Sequence, residues 1–208
     1  MIKFIYFDVG GVVIKDFSET NKWEELKQEL SIPSNRSQEF EDINNLYRDE
    51  INTIREIDSL IPIYKERFNI KLSKDYSLLI DGFIKRFDKN LDIWPIIEIA
   101  KSYFKIGLLT NMYPNMMAEI KKAELFPNID FDQIIDSSVE KVQKPYREIF
   151  ELAQKRSGLK GSEILFIDNS RKNIDSAKDF GWQTFFYDSS NYEDSNRKLS
   201  IYMQSLLR

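Results

Sequence analysis

Four groups of polar residues stand near the ends of apolar runs in this chain: Asp8, Thr110-Asn111 and Asp168-Asn169 directly after such runs, and Lys144 after a short loop. Such apolar runs are typical of strands that are buried on both faces of a parallel sheet. Because ligands bind beyond the carboxyl ends of these strands, we expect the four groups to surround one cavity. There a carboxylate could attack phosphorus, a hydroxyl and an ammonium could hold the phosphoryl oxygens, and Mg²⁺ could offset the negative charge. The residue types therefore favour covalent phosphoryl transfer.

Each group also has a purely structural interpretation. A strand followed by Asp and Gly, as at Asp8, is a common turn pattern. Thr110-Asn111 and Asp168-Asn169 could each cap the helix that follows. Lys144 could be a solvated surface residue. Four polar positions that recur at strand ends in this order nevertheless favour the functional interpretation over four unrelated caps.

The elements that would position these groups alternate between strand and helix from residue 91 onward. After the first strand, predicted strands cover 105–110, 133–136, 163–168 and 183–187. Predicted helices cover 94–103, 114–123, 145–157, 171–180 and 197–207, the last of them after a polar loop at 188–196. Five strands with helices between them indicate an α/β fold with a doubly wound parallel sheet.

Residues 15–90 have a different pattern. They are rich in Glu, Lys, Asn and Arg, and their apolar residues recur at helical spacing, as Trp23, Leu26 and Leu30 do. No stretch of this block has a convincing strand pattern. We therefore predict a core made of residues 1–14 and 91–208, with residues 15–90 as a small helical insertion.

Composition excludes several classes of function. The 208-residue chain has a net charge of −4 and scattered basic residues, so we expect no nucleic-acid partner. It contains no Cys and no His, which excludes thiol nucleophiles, Ser-His-Asp triads and the usual zinc sites. No apolar run reaches the length of a membrane span, and we expect no leader before the first strand. We therefore expect a cytoplasmic protein that does not bind membranes.

Four sequence motifs, in this order, resemble those of the haloacid dehalogenase-like (HAD-like) hydrolase superfamily: Phe-Asp-Val-Gly-Gly-Val-Val, Leu-Leu-Thr-Asn, Gln-Lys-Pro and Phe-Ile-Asp-Asn-Ser-Arg-Lys-Asn-Ile-Asp-Ser-Ala. The resemblance covers essentially the whole chain and implies a Rossmann-like core with a helical cap at residues 15–90. It is closest to the small sugar-phosphate-phosphatase-like members, whose first motif reads Asp-x-Gly. It implies a phosphatase that acts on a small phosphorylated metabolite, such as a sugar phosphate, with Mg²⁺ as cofactor.

The resemblance also assigns roles to individual residues. Asp8 would be the nucleophile that forms an aspartyl-phosphate, and Lys144 would pair with it and with the phosphate. The residues implied to bind phosphate are Thr110, Asn111, Lys144 and Gly11. The metal ligands implied are Asp8, the backbone carbonyl of Gly10, Asp168 and Asn169, with Asn173 in support.

Two positions depart from the family pattern. Most family phosphatases have a second Asp two residues after the nucleophile, where it protonates the leaving group, but this chain has Gly10. Protonation of the leaving group would then come from water or from a cap residue, or would be poor. General acid–base help contributes about 10²- to 10⁴-fold to rate. Asn169 stands where a second acidic ligand is usual, and an amide supplies no charge to Mg²⁺. Either Asp168 could shift to compensate, or Asp16 could reach the site from the loop after the first motif.

These departures leave two alternatives to a phosphatase. The first is a protein of the same fold that binds a phosphorylated ligand or a protein partner without turnover. The second is a metal-free 2-haloacid dehalogenase, in which the aspartate attacks carbon and no second Asp is needed. Against the latter, the chain lacks the bulky aromatic after the nucleophile and the Ser-Asn pair in the last motif that are usual in dehalogenases.

Overall fold

A computed structural model describes residues 1–207 of the chain. Its strands are β1 (Phe4–Phe7), β2 (Ile14–Lys15), β3 (Asp88–Lys89), β4 (Lys105–Thr110), β5 (Gln133–Asp136), β6 (Ile164–Asp168) and β7 (Gln183–Phe186). Its α-helices are α1 (Lys22–Glu29), α2 (Ser37–Leu46), α3 (Arg48–Ile51), α4 (Ile61–Phe68), α5 (Trp94–Tyr103), α6 (Met116–Lys122), α7 (Ser137–Glu140), α8 (Arg147–Ser157), α9 (Arg171–Asp179) and α10 (Tyr192–Leu206). Short 3-10 helices cover Ser34–Arg36, Ile57–Leu60, Ile84–Arg86 and Gly161–Glu163, and a π-helix covers Leu78–Phe83.

Five of the strands form one parallel sheet in the order β5-β4-β1-β6-β7. The chain starts in the centre at β1, builds outward through β4 and β5, and then returns to the other side of β1 for β6 and β7. The ends of β1, β4 and β6 therefore meet where the direction of winding changes, which is the usual ligand position in such sheets. The predicted α/β fold is confirmed.

Strand β1 is buried on both faces because helices cover each side of the sheet. Ile5 and Phe7 belong to a core that continues into the helices of residues 22–86, whereas Phe4 and Tyr6 pack on the opposite face with residues of α8 and α9. This separation follows from the alternation of side chains along a strand. Burying each such side chain contributes about 1.5–3 kcal/mol, so the central strand is firmly held.

Residues 22–86 fold into helices, with no strand among them. The prediction of a block without strands fails at its two ends, where β2 and β3 form an antiparallel pair through Ile14 with Lys89 and Lys15 with Asp88. Strands of two residues are too short for a periodic apolar pattern. The division into a core and an inserted cap at residues 15–90 stays a prediction.

The last helix begins earlier than predicted. It starts at Tyr192, because the side chain of Asn191 accepts a hydrogen bond from the Asp194 N–H and caps the first turn. Part of the polar stretch that we expected to be a loop is therefore helical. No helix within residues 1–207 is both long enough and apolar enough to cross a bilayer.

Candidate active site

Asp8 follows β1 directly, and the sheet fixes its backbone. Its N–H donates to the carbonyl of Ile167 at 2.8 Å, which continues the pairing of β1 with β6. Its Oδ1 accepts the Val9 N–H at 2.7 Å and lies 2.9 Å from the Lys144 Nζ. Within residues 1–207 the other oxygen, Oδ2, has no hydrogen-bond partner. One oxygen of this buried carboxylate is therefore held and the other is available to a ligand.

Lys144 connects two buried carboxylates. Its Nζ lies 2.9 Å from Asp8 Oδ1 and 2.7 Å from Asp168 Oδ2, and its side chain is only 1% exposed. Burial alone would lower the pKa of Lys144, but the two carboxylates together raise it above its ordinary value. A buried charge is tolerated when it is paired in this way. The ammonium therefore stays charged beside Asp8.

Burial also acts on the nucleophile candidate itself. It raises the pKa of the Asp8 carboxyl, and the neighbouring Lys144 ammonium offsets this only in part. The carboxylate of Asp168 raises the pKa of Asp8 further. Ionised Asp8 is therefore a poorly solvated carboxylate, which further positive charge at the site would stabilise.

Asp168 is the fixed end of this arrangement. Its Oδ1 accepts the Ser170 N–H at 2.7 Å, and the Asn173 Nδ2 lies 3.1 and 3.2 Å from its two oxygens. Asp168 itself is fully buried. Asn173 projects from the first turn of α9, so the loop after β6 and this helix hold Asp168, and Asp168 in turn holds Lys144.

Asn111 fixes the backbone at Lys144. The Lys144 N–H donates to Asn111 Oδ1 at 2.9 Å, and the Asn111 Nδ2 donates to the Lys144 carbonyl at 2.8 Å. This reciprocal pair ties the loop that carries Lys144 to the end of β4. The predicted contact of Asn111 with phosphate stays a prediction.

Thr110 ends β4 with a hydroxyl that has no protein partner. The residue is 1% exposed, and its Oγ1 is one of two buried side-chain polar atoms within residues 1–207 without a hydrogen bond. Leaving a buried polar group unpaired costs about 1–3 kcal/mol. A ligand oxygen at the edge of the sheet would accept a hydrogen bond from this hydroxyl and remove that cost.

The two glycines after Asp8 are crowded by side chains from elsewhere. Gly11 has φ +73°, which favours glycine, and a Cβ there would overlap the Nδ2 of Asn169. Asn169 Nδ2 also donates to Ser18 Oγ at 3.0 Å. At Gly10 a Cβ would overlap the Oδ2 of Asp16 and lie 3.2 Å from its Cγ. The carboxylate of Asp16 therefore lies directly over Gly10.

A pocket of about 280 Å³ adjoins this edge of the sheet. It is lined by Asp16, Phe17, Ser18, Trp23, Asn52, Phe83, Phe87, Asn111, Tyr113 and Met116. The pocket is lined both by side chains from residues 22–86, hereafter the helical segment, and by residues after position 110. None of the ten is Lys or Arg. From the sequence, Trp23 is one of several residues of the predicted cap that could contact a leaving group, with no sign of which of them face the cavity. Asn52 and Tyr113 carry no motif that would single them out.

The helical segment contacts the loop next to Lys144 through Gln143. Asn52 Nδ2 donates to Gln143 Oε1 at 2.8 Å, and Gln143 Nε2 donates to Asp49 Oδ1 at 2.7 Å. These bonds place α3 and the residue that follows it beside the site. The residues involved are distant in sequence, so the sequence alone gives no signal for the contact.

A family model of the haloacid dehalogenase-like hydrolases matches residues 2–181. The chain belongs to the HAD-like hydrolases. The chain is 26% identical over 180 residues to tabersonine 16-hydroxylase 1 of Catharanthus roseus, a match that covers 83% of this chain. The chain spans about a third of the length of that curated relative, 32%.

Solved structures share the HAD-like fold. The predicted HAD-like family hydrolase of Porphyromonas gingivalis is 22% identical, with a TM-score of 0.73 over 96% of this chain and 98% of that one. A wild-type HAD family enzyme of Bacteroides thetaiotaomicron, in complex with magnesium and inorganic phosphate, is 19% identical, with a TM-score of 0.69 over 92% and 96%. The L-2-haloacid dehalogenase of Xanthobacter autotrophicus, with chloropropionic acid covalently bound, is 17% identical, with a TM-score of 0.61 over 88% and 76%. At these identities the likeness concerns the fold.

Proposed function

We propose that this HAD-like hydrolase is a phosphatase that hydrolyses a small phosphorylated metabolite through an aspartyl-phosphate on Asp8. The observation that carries the proposal is the pairing of one Asp8 oxygen with Lys144 at 2.9 Å while the other oxygen has no protein partner. Next to it, the hydroxyl of Thr110 is buried without a hydrogen bond. An available nucleophile, a cation and an unused donor are the groups that phosphoryl transfer needs.

Each residue of the site has a distinct role in phosphoryl transfer. Asp8 Oδ2 attacks phosphorus, and the bond from phosphorus to the leaving oxygen breaks. Lys144 and Thr110 hold the phosphoryl oxygens, with the ammonium offsetting charge and the hydroxyl donating a hydrogen bond. Asp168 and Asn111 fix the side chain and the backbone of Lys144, so that the ammonium is already in place before the substrate binds.

Mg²⁺ fits the donor chemistry that the chain offers, because the candidate ligands are oxygens only. They are the Asp8 carboxylate, the Gly10 carbonyl, the Asn169 amide oxygen and the Asp168 carboxylate, with Asp168 already engaged by Lys144. Bound there, the ion would neutralise charge on the transferring phosphoryl group. We expect weak affinity, because the Asn169 amide and the Gly10 carbonyl supply no charge to the ion.

The pocket limits the leaving group. Six of its ten lining residues are aromatic or apolar, and the absence of Lys and Arg among the ten leaves nothing to neutralise a second phosphate. A monophosphate with an uncharged leaving group suits it better than a bisphosphate. The magnesium and phosphate complex of the Bacteroides thetaiotaomicron enzyme supports the same chemistry.

A panel of phosphate monoesters assayed with Mg²⁺ tests the proposal. We expect activity that Asp8→Asn abolishes and that Asp75→Asn, a change of an exposed aspartate, leaves intact. Beryllium fluoride should trap the wild-type protein at Asp8 only when Mg²⁺ is present. Trapping without hydrolysis of any ester would indicate a binding protein. Halide release from 2-chloropropionate without metal would indicate a dehalogenase, and either result would overturn the proposal.

A further inference from the structure

We infer that Asp16 is a catalytic residue of this site, the acid–base group that serves the leaving oxygen in place of the side chain that Gly10 lacks. The inference rests on the proposed phosphatase function and adds a residue to it. It depends on where the Asp16 carboxylate lies, on how the chain brings it there, and on the pocket that it faces.

The carboxylate of Asp16 occupies the space of a side chain at position 10. A Cβ built on Gly10 would overlap Asp16 Oδ2, and would lie 3.2 Å from the Cγ and 3.8 Å from the Cβ of Asp16. Position 10 is two residues after the proposed nucleophile, Asp8. A side chain at position 10 and the present placement of Asp16 therefore exclude each other.

The local fold explains why Asp16 returns to Gly10. The N–H groups of Val12 and Ile14 both donate to the carbonyl of Val9, at 3.2 and 3.1 Å, and Gly10 forms an isolated bridge with Ile14. This compact turn leads into β2, and Asp16 follows β2 directly. The Ser18 N–H then holds Asp16 Oδ1 at 2.8 Å. One carboxylate oxygen is fixed and Oδ2 is left facing Gly10.

Asp16 also faces the place of the leaving group. It lines the pocket together with Asn111, the residue after Thr110. Asp16 thus lies between Gly10, in the loop after Asp8, and the pocket that would receive the rest of the substrate. Among the ten lining residues it is the only carboxyl group.

Asp16 alone can serve both proton transfers of the reaction. As the Asp8 oxygen bonds to phosphorus and the ester P–O bond breaks, the Asp16 carboxylic acid gives its proton to the leaving oxygen, which departs as an alcohol. Water then attacks the aspartyl-phosphate, and the Asp16 carboxylate accepts the proton from that water. The Asp8–phosphorus bond breaks, phosphate is released and Asp16 regains its acid form. Ester and water become alcohol and phosphate.

The dependence on leaving group is the decisive test. We compare wild type, Asp16→Asn and the control Asp75→Asn on p-nitrophenyl phosphate, whose leaving group needs no proton, and on an alkyl phosphate, whose leaving group does. Asp16→Asn should lower kcat/KM for the alkyl phosphate by about 10²- to 10⁴-fold and that for p-nitrophenyl phosphate far less. It should leave beryllium fluoride trapping at Asp8 intact. Equal losses on both esters, as expected for a metal ligand or a structural residue, would overturn the inference.

Two variants at position 10 provide an independent check. Gly10→Ala displaces the Asp16 carboxylate without supplying an acid, so it should reproduce the Asp16→Asn pattern, and the double variant should lose little more than either single one. Gly10→Asp combined with Asp16→Ala should recover alkyl phosphate turnover. Full alkyl phosphate activity in Gly10→Ala would contradict the inference. If beryllium fluoride does not trap the wild-type protein at Asp8, that result would instead contradict the proposed function. Failure of the inference and failure of the proposed function are therefore distinguishable.

Discussion

Replacing Thr110 by Val should stabilise the protein while it impairs the reaction. Val has nearly the shape of Thr and lacks the hydroxyl, which in Thr110 is buried without a hydrogen-bond partner. Removing an unpaired buried polar group recovers about 1–3 kcal/mol, so the free energy of unfolding should rise by that amount. For a chain of this size each kcal/mol raises the melting temperature by about 2–4 °C.

The same substitution removes a donor to the phosphoryl group. A hydrogen bond to a charged oxygen contributes about 1.5–3 kcal/mol, so kcat/KM should fall by about 10- to 150-fold. Stability and activity thus move in opposite directions at one atom. This opposition is what a hydroxyl kept for a ligand predicts and what a merely structural threonine does not.

Urea unfolding, thermal melts and phosphatase kinetics on wild type and Thr110→Val check this prediction. The matched control is Thr20→Val, because the Thr20 hydroxyl already donates to the Phe17 carbonyl at 3.0 Å, and no stabilisation is expected there. Beryllium fluoride with Mg²⁺ should raise the melting temperature of wild type more than that of Thr110→Val. A less stable Thr110→Val with unchanged ligand stabilisation would refute the reasoning.

Three further changes have defined outcomes. Lys144→Met leaves two buried carboxylates without their cation and should cost about 3–5 kcal/mol in urea unfolding, besides abolishing activity, whereas Lys3→Met, at an exposed ion pair with Glu163, should cost much less. Gly11→Ala should cost more than Gly158→Ala, because both positions have positive φ but only Gly11 has a neighbouring side chain in the way; equal losses in urea unfolding would contradict this. Chelation of Mg²⁺ should abolish phosphatase activity with little change in the melting temperature, since ion pairs within the chain hold the site together; a large fall in that temperature would show that the metal supports the fold.

The strand-end residues could be predicted because the carboxyl ends of parallel strands lie at the same edge of a sheet. Polar residues that follow such strands in the sequence are therefore close together in the fold. Asp8 and Asp168 each follow or end an apolar run, and the pairing of β1 with β6 then brings them to one lysine. Buried strands leave a strong signal in the sequence, since nearly all of their residues are apolar. The sequence therefore predicts the fold and the approach of these groups to one another.

The remaining parts of the site depend on contacts without a periodic signal. The reciprocal hydrogen bonds of Asn111 with the Lys144 backbone join two loops that follow different strands. The pairing of β2 with β3 involves two residues on each side of the helical segment. Neither contact produces a recognisable sequence pattern, because each joins a few residues that are far apart in the chain. Asp16 is the clearest example, because the sequence showed that it could approach the site but not that it lies over Gly10.

The arrangement around Gly10 links the chemistry to the helical segment. Asp8, Thr110 and Asp168 are fixed by strands of the central sheet, and their relative positions depend on backbone pairing within it. Asp16 instead follows β2, whose partner β3 lies at the far end of the helical segment. A displacement of that segment would therefore carry Asp16 away from Gly10 while leaving the nucleophile, the hydroxyl and the lysine together. On this reasoning, attack on phosphorus depends on the sheet, and protonation of the leaving group depends on how the helical segment is seated against it.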